Sequence, residues 1–108
     1  MKHPHYIEDV HEVVKLIPVG RVTTYGAIAD FLTLGSARMV GWALFNTVTA
    51  DEVPAHRVVN RKGELSGRVH FATPTLMQER LEAEGVSIKA DRVVDFDQRF
   101  WSPNELLP

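Results

Sequence analysis

The stretch "RVTTYGAIADFLTLGSARMVGWALF" (Arg21–Phe45) carries the decision about the fold. Thr23 or Thr24 can cap a helix, because a threonine hydroxyl accepts a hydrogen bond from a first-turn backbone N–H. That helix carries Ile28, Phe31 and Leu32 at helical spacing, and "TLGS" breaks it. Ser36 then caps a second helix, Ala37 to Phe45, with Val40, Ala43 and Leu44 on its inner side. Two short helices joined by a tight, glycine-containing turn read as a helix-turn-helix.

Upstream, Ile7, Val10, Val13, Val14 and Ile17 repeat at intervals that give one apolar helical face. Pro18 and Gly20 stop that helix. Downstream, "HRVV", "NRKG" and "ELSG" read as a strand, a turn and a second strand, a small wing beside the helices. Thr73 is expected to cap a fourth helix with Pro74 at its first position. Met77 and Leu81 face inward, and Gly85 ends it. "VSIKADRVVDF" forms a final hairpin or an extended tail, packed down by Trp101. The expectation is one domain over residues 1–108, mainly α with a small β hairpin: a winged helix-turn-helix domain, whose DNA-binding role comes from the resemblance described below.

Composition narrows the classes. A chain of 108 residues, 44% hydrophobic and 24% charged, suits one modest core. It offers no apolar run of the roughly 20 residues that a membrane span needs. The start, "MKHPHYIEDV", lacks the apolar stretch of a signal peptide, so the cytoplasm is the expected location. The absence of cysteine excludes disulfides, thiolate metal sites and a thiol nucleophile. Net charge is −2, yet the charge is unevenly spread. From Pro18 to Arg68 six basic residues (Arg21, Arg38, Arg57, Arg61, Lys62, Arg68) face four acidic ones (Asp30, Asp51, Glu52, Glu64). The middle of the chain can form a basic face on an acidic body.

Within that middle stands "VPAHRVVNRKG" (Val53–Gly63). Pro, His and Arg are grouped as in the setting of a reactive side chain, but the residue beside His56 is Ala55, which has no chemistry. "IPVGRVTTYGAIA" (Ile17–Ala29), "GSARMVGWAL" (Gly35–Leu44), "PAHRVV" (Pro54–Val59) and "LEAEG" (Leu81–Gly85) occur in that order. Together they resemble the DNA-binding domain of the O6-alkylguanine-DNA alkyltransferases, over about Tyr6 to Ile88. In those enzymes the place of Ala55 is a cysteine that accepts the alkyl group. A methyl side chain cannot accept one. The sequence therefore looks like the alkyltransferase-like proteins, which bind alkylated guanine in DNA without repairing it.

The resemblance implies roles residue by residue. Ser36, Ala37, Arg38, Gly41 and Trp42 match the recognition helix, which in this family enters the minor groove rather than the major groove usual for the motif. Small residues there let a backbone approach DNA, or let two helices pack closely. Arg38 matches the arginine that fills the gap left by a flipped nucleotide, a task for a planar, permanently charged group that stacks on bases. Tyr25 matches the tyrosine that crowds the neighbouring phosphate; a base must leave the stack to be read in a pocket. Pro54, Ala55, His56 and Glu84 hold the places of the acceptor and its activating network, Asn46 matches an asparagine of that network, and Val58 a backbone contact to the guanine edge. Arg68 stands where the methyltransferases have tyrosine, and can either make a cation–π contact with the base or reach a phosphate. Arg61 and Lys62 add phosphate attraction at the turn. His3, His5, His11 and His70 show no metal-ligand spacing, and no metal or cofactor is implied.

The resulting expectation is a non-enzymatic monomer that binds double-stranded DNA containing O6-alkylguanine, flips the damaged nucleotide, bends the DNA and marks the site for nucleotide-excision repair proteins. It touches no membrane. A winged-helix transcription regulator reading undamaged sequence is the alternative. A third reading, an enzyme using His56 on another bond, lacks a partner nucleophile or metal.

Overall fold

The computed structural model describes residues 4–47 and 52–107. His3 and the side chain of His5 lie outside the described part, and with them the "HPH" segment. Five helices and four two-residue strands follow in the order α1 (Pro4–Lys15), β1 (Thr23–Thr24), α2 (Tyr25–Phe31), α3 (Ala37–Phe45), β2 (Val58–Val59), α4 (Leu76–Ala83), β3 (Ile88–Lys89), β4 (Arg92–Val93) and α5 (Phe96–Arg99). Three 3₁₀ segments, Ala55–Arg57, Ser66–His70 and Pro103–Leu106, complete the elements of the described residues. The fold is mainly helical with small strands, and α2 and α3 form the helix-turn-helix.

The apolar stripe of α1 does what its spacing predicts. Val10, Val13 and Val14 are buried and Ile7 is half-buried, against Ile28 and Ala29 of α2 and Val40, Ala43 and Leu44 of α3; the helix stops at Lys15, so Ile17 joins this core from the turn beyond it. His11 donates from Nε2 to the Ala43 carbonyl at 2.9 Å and ties α1 to α3. Thr24, not Thr23, caps α2: its hydroxyl oxygen accepts from the Ala27 N–H at 3.0 Å. The turn after α2 is closed by Leu34 N–H to Ala29 O at 2.8 Å and Thr33 N–H to Asp30 O at 3.2 Å. Those two bonds are the usual helix-ending pair, whose left-handed position normally belongs to glycine. Here Thr33 takes it, at φ 54°, and Gly35 does not. Ser36 occupies the N-cap position of α3, but its side chain makes no capping hydrogen bond.

A second core gathers Val22, Val59, Leu65, Met77, Leu81, Val86 and Val93. The two cores meet along extended chain. β1 pairs in parallel with β2, Thr23 opposite Val58 and Thr24 opposite Val59. On the other side Val22 bridges Phe100, with Trp101 N–H donating to Val22 O at 2.7 Å. Trp101 is buried against the first core, as expected.

The expected hairpin over "HRVV", "NRKG" and "ELSG" is corrected here. Val58 and Val59 are extended but fully buried, and their ladder partner is β1. The turn survives: Asn60 Oδ1 accepts from the Lys62 and Glu64 N–H groups, and Gly63 adopts φ 79°. Beyond it the chain leaves the strand direction at Leu65 and turns into the 3₁₀ segment Ser66–His70. Gly67 explains the departure. A Cβ there would lie 2.8 Å from both Phe45 Cζ and the Tyr25 hydroxyl, so the backbone is pressed onto the helix-turn-helix. The small hairpin is instead β3–β4, Ile88 opposite Val93. Ala90 and Asp91 both have positive φ, 52° and 59°, as a two-residue hairpin turn requires.

The start of α4 also moves. Its N-cap is Thr75, so Pro74 precedes the helix, and Thr73 contributes only its carbonyl, to the Leu76 N–H at 3.3 Å. Met77 and Leu81 are fully buried and Gly85 ends the helix at φ 88°, both as expected.

Candidate nucleic-acid interface

The outer face of α3 is a run of small and cationic residues. Ser36, Ala37 and Arg38 are exposed, Gly41 is half-exposed, and Trp42 is 51% exposed, a large apolar side chain left in water. The Arg38 guanidinium makes no ion pair or hydrogen bond among the described residues. Gly41 answers the question of why the helix carries small residues. A Cβ at Gly41 would meet nothing within 4 Å, so packing inside this chain does not require glycine. Glycine costs a helix interior about 1 kcal/mol relative to alanine, and a cost without an internal return points to an external surface that comes close. Gly41→Ala is expected to raise the melting temperature while weakening DNA binding; parallel thermal unfolding and binding titrations check it, and an equally tight variant would return Gly41 to a passive surface role.

Between α3 and the Ser66–His70 segment runs a groove of about 290 Å³, lined by Tyr25, Ala37, Arg38, Gly41, Phe45, Ser66, Gly67 and His70. Burial pushes the Tyr25 phenol above its ordinary value, and a hydrogen bond with Ser66 opposes the shift. Phe45 and His70 also line a second, larger cavity of about 570 Å³ that contains Pro54, Ala55 and His56 together with Phe71 and Arg80. The two spaces adjoin at Phe45 and His70.

Behind Ala55 sits an ionic clamp. Arg57 holds the Glu84 carboxylate with both arms of its fork, Nε to Oε1 at 2.9 Å and Nη2 to Oε2 at 2.7 Å, and donates from Nη1 to Ile17 O at 2.8 Å. His56 Nε2 donates to Glu84 Oε2 at 2.9 Å. Burial opposes ionisation of Glu84, but the hydrogen bonds from Arg57 and then His56 overcome it and hold the carboxyl at about 2. Burial lowers His56 below the ordinary histidine value, with the Glu84 bond pulling the other way. The ring is therefore neutral near pH 7, with its proton on Nε2 and a lone pair on Nδ1. Nδ1 is buried and has no hydrogen-bond partner among the described residues. This is an oriented base with nothing to activate, since the adjoining side chain is the methyl of Ala55.

The structure thus brings Tyr25, Ala37, Arg38 and Gly41 to one groove, and Pro54, Ala55 and His56 to the adjoining cavity with Glu84 behind them. It does not bring five other candidates there: Ser36 and Trp42 lie on the exposed face of α3 outside the groove, and three more stand apart from both spaces. Asn46 caps α3 at the surface, and its side chain has no hydrogen-bond partner among the described residues. Val58 is fully buried. Arg68 turns away from the cavity: Nη1 donates to Leu65 O at 2.9 Å and Nε lies 3.7 Å from Asp91 Oδ2. Arg57, Phe45, His70, Phe71 and Arg80 are the residues that the sequence reading left out of the site. Only Arg57 had a signal, its place in "PAHRVV". Among the described residues no cluster of three or more His, Asp or Glu could hold a metal ion, and no helix is long and apolar enough to cross a membrane.

The chain is similar to known proteins in sequence and fold. The family model described as the DNA-binding domain of 6-O-methylguanine DNA methyltransferase matches residues 5–86. Alkyltransferase-like protein 1 of Schizosaccharomyces pombe is 39% identical over 89 residues, which cover 82% of this chain and 82% of that protein. A DNA base-flipping protein of Escherichia coli is 35% identical over 104 residues, 94% of this chain and 78% of that protein. Among solved structures, S. pombe Atl1 in complex with damaged DNA containing O6-carboxymethylguanine superposes with a TM-score of 0.83 at 33% identity, covering 95% of this chain and 100% of that one.

Proposed function

We propose, from the premise that this chain belongs to the 6-O-methylguanine DNA methyltransferase DNA-binding-domain family, that it binds O6-alkylguanine in double-stranded DNA and leaves the lesion chemically intact. The observation that carries the reading is Ala55 beside an oriented but idle His56, in a cavity that adjoins the groove under α3. Such a place can hold an extrahelical base and offers no acceptor for its alkyl group. Arg38 fills the vacated stack, Tyr25 crowds the adjacent phosphate, and Ser36, Ala37, Gly41 and Trp42 face the minor groove. Pro54, Ala55 and His56 form the lesion pocket and Glu84 braces it from behind, while Asn46, exposed at the end of α3, and Val58, buried in β2, stand outside it. Arg68 reaches the base by leaving Asp91, an exposed and therefore weak ion pair. The protein acts as a single cytoplasmic domain over residues 1–108, as a monomer, and marks the site for nucleotide-excision repair proteins.

Matched duplexes with and without one O6-methylguanine test this. Tighter binding of the damaged duplex, with protein and DNA masses unchanged after long incubation, is the expected result. Equal binding of both duplexes would leave a sequence-reading transcription regulator, and an alkyl adduct on the protein would make it an enzyme.

Residue 55 has its own test. Ala55→Trp is expected to shrink the cavity and to discriminate against benzyl more than against methyl at O6. A buried methylene contributes about 0.8 kcal/mol, so the wild-type gain per added carbon is modest. The same order and spacing of affinities in both proteins, from methyl to benzyl, would remove residue 55 from the pocket wall.

A further inference from the structure

Phe45 and His70 both line the groove under α3 and the Ala55 cavity, and thus stand where one opens to the other. Their rings are stacked, centroids 4.5 Å apart and planes within 10°. The two residues are held very differently. Phe45 belongs to α3, meets the edge of Phe71 at 6.1 Å and 63°, and leaves no room for even a Cβ at Gly67. His70 ends a five-residue 3₁₀ segment, is exposed, and its side chain makes no hydrogen bond or ion pair among the described residues. Its neighbour Val69 is 74% exposed and anchors nothing. We infer that His70 is a plug: in the free protein its ring keeps the place on Phe45 that an entering nucleobase takes.

The physical case is an exchange. An uncovered Phe45 face would stand in water at the mouth of the cavity, so the free protein covers it with the planar ring at hand. A purine is larger than an imidazole and covers more of the face when it arrives. Displacing His70 therefore exposes no apolar surface in the end state and releases an exposed side chain into solvent. The groove and the cavity become one continuous path once His70 swings aside. His70 is in this sense a positioning residue, and the inference rests on the proposed reading that a nucleotide leaves the duplex.

Affinity for the O6-methylguanine duplex is measured for the wild type, His70→Ala and His70→Trp, with thermal unfolding of each. Removing the plug is expected to tighten binding by roughly two- to tenfold, the scale of one aromatic pair, and the larger tryptophan plug is expected to weaken it. In the wild type, the His70 ring protons are expected at ring-current-shifted NMR positions over Phe45, moving to exposed-histidine positions when the damaged duplex binds. Wild-type selectivity for the lesion with weaker binding by His70→Ala, or with His70 resonances unmoved in the complex, overturns the plug alone. No wild-type preference for the damaged duplex overturns the proposed function, and the plug with it.

Discussion

Arg57→Ala is expected to cost about 3–5 kcal/mol of folding stability, the scale for breaking a buried ion pair from one side. The side chains of Arg57 and Glu84 are 13% and 16% exposed. Without the guanidinium, the Glu84 carboxylate keeps one hydrogen bond, from His56, and the Ile17 carbonyl loses its donor. Three segments distant in sequence come apart together: the turn after α1, the Ala55–Arg57 turn and the end of α4. A domain of this size has about 5–15 kcal/mol in total, so urea denaturation will read the change easily. Arg57→Lys is expected to fall between, because an ammonium cannot span both carboxylate oxygens. A loss below about 1 kcal/mol, the size of a solvated pair, would mean that water already shares the clamp. The pH dependence has a defined sign. The Glu84 carboxyl is depressed from 4.5 to about 2 in the folded protein, so its contribution is complete above about 4.5 and is lost as the pH falls towards 2. The gap between wild type and Arg57→Ala should be flat above that window and close within it.

Arg38→Ala is expected to weaken binding to every duplex, damaged or not, by roughly 5- to 150-fold, the equivalent of about 1–3 kcal/mol for a side chain stacked on bases. Its melting temperature should not change, because the exposed Arg38 side chain makes no ion pair or hydrogen bond among the described residues. Arg38→Lys separates two ways of binding. It keeps the charge and loses the planar stacking surface. If lysine restores affinity, Arg38 is a phosphate contact and the gap-filling role is wrong. A fluorescent base analogue opposite the lesion reports the same point directly, since an unfilled gap lets the base return to the stack.

The legible parts of this molecule were those encoded locally. The bounds of α3 followed from its cap position and the Val40, Ala43, Leu44 spacing, and the end of α4 from Gly85. The grouping of Pro54, Ala55 and His56 at one cavity was legible because these residues are contiguous in sequence. What escaped depends on partners far along the chain. Two adjacent valines say that Val58 and Val59 are extended and buried, but β propensity does not name the neighbouring strand; it proved to be Thr23–Thr24, 35 residues upstream. Arg57 meets Glu84 across 27 residues; its place in "PAHRVV" marks it as part of the motif but does not name that partner. Arg68 is held near Asp91 only because the β3–β4 turn brings that carboxylate there. The stack of His70 on Phe45 joins two elements whose order in sequence says nothing of their contact.

The parallel rungs of Thr23–Thr24 on Val58–Val59 carry a mechanical consequence. Tyr25 follows one side of this ladder immediately, and the Ala55–Arg57 turn leads directly into the other. In the proposed reading, this ladder ties Tyr25 to the Ala55 cavity at a separation set in the free protein. With the separation held in this way, the proposed reading assigns the yielding to the double helix, and the work of opening a base pair becomes part of the measured affinity. Damaged or mismatched pairs open for less than sound ones. A span held in this way is expected to sort duplexes by how readily they yield, and matched duplexes carrying a plain mismatch in place of the lesion check it by binding more tightly than the sound duplex.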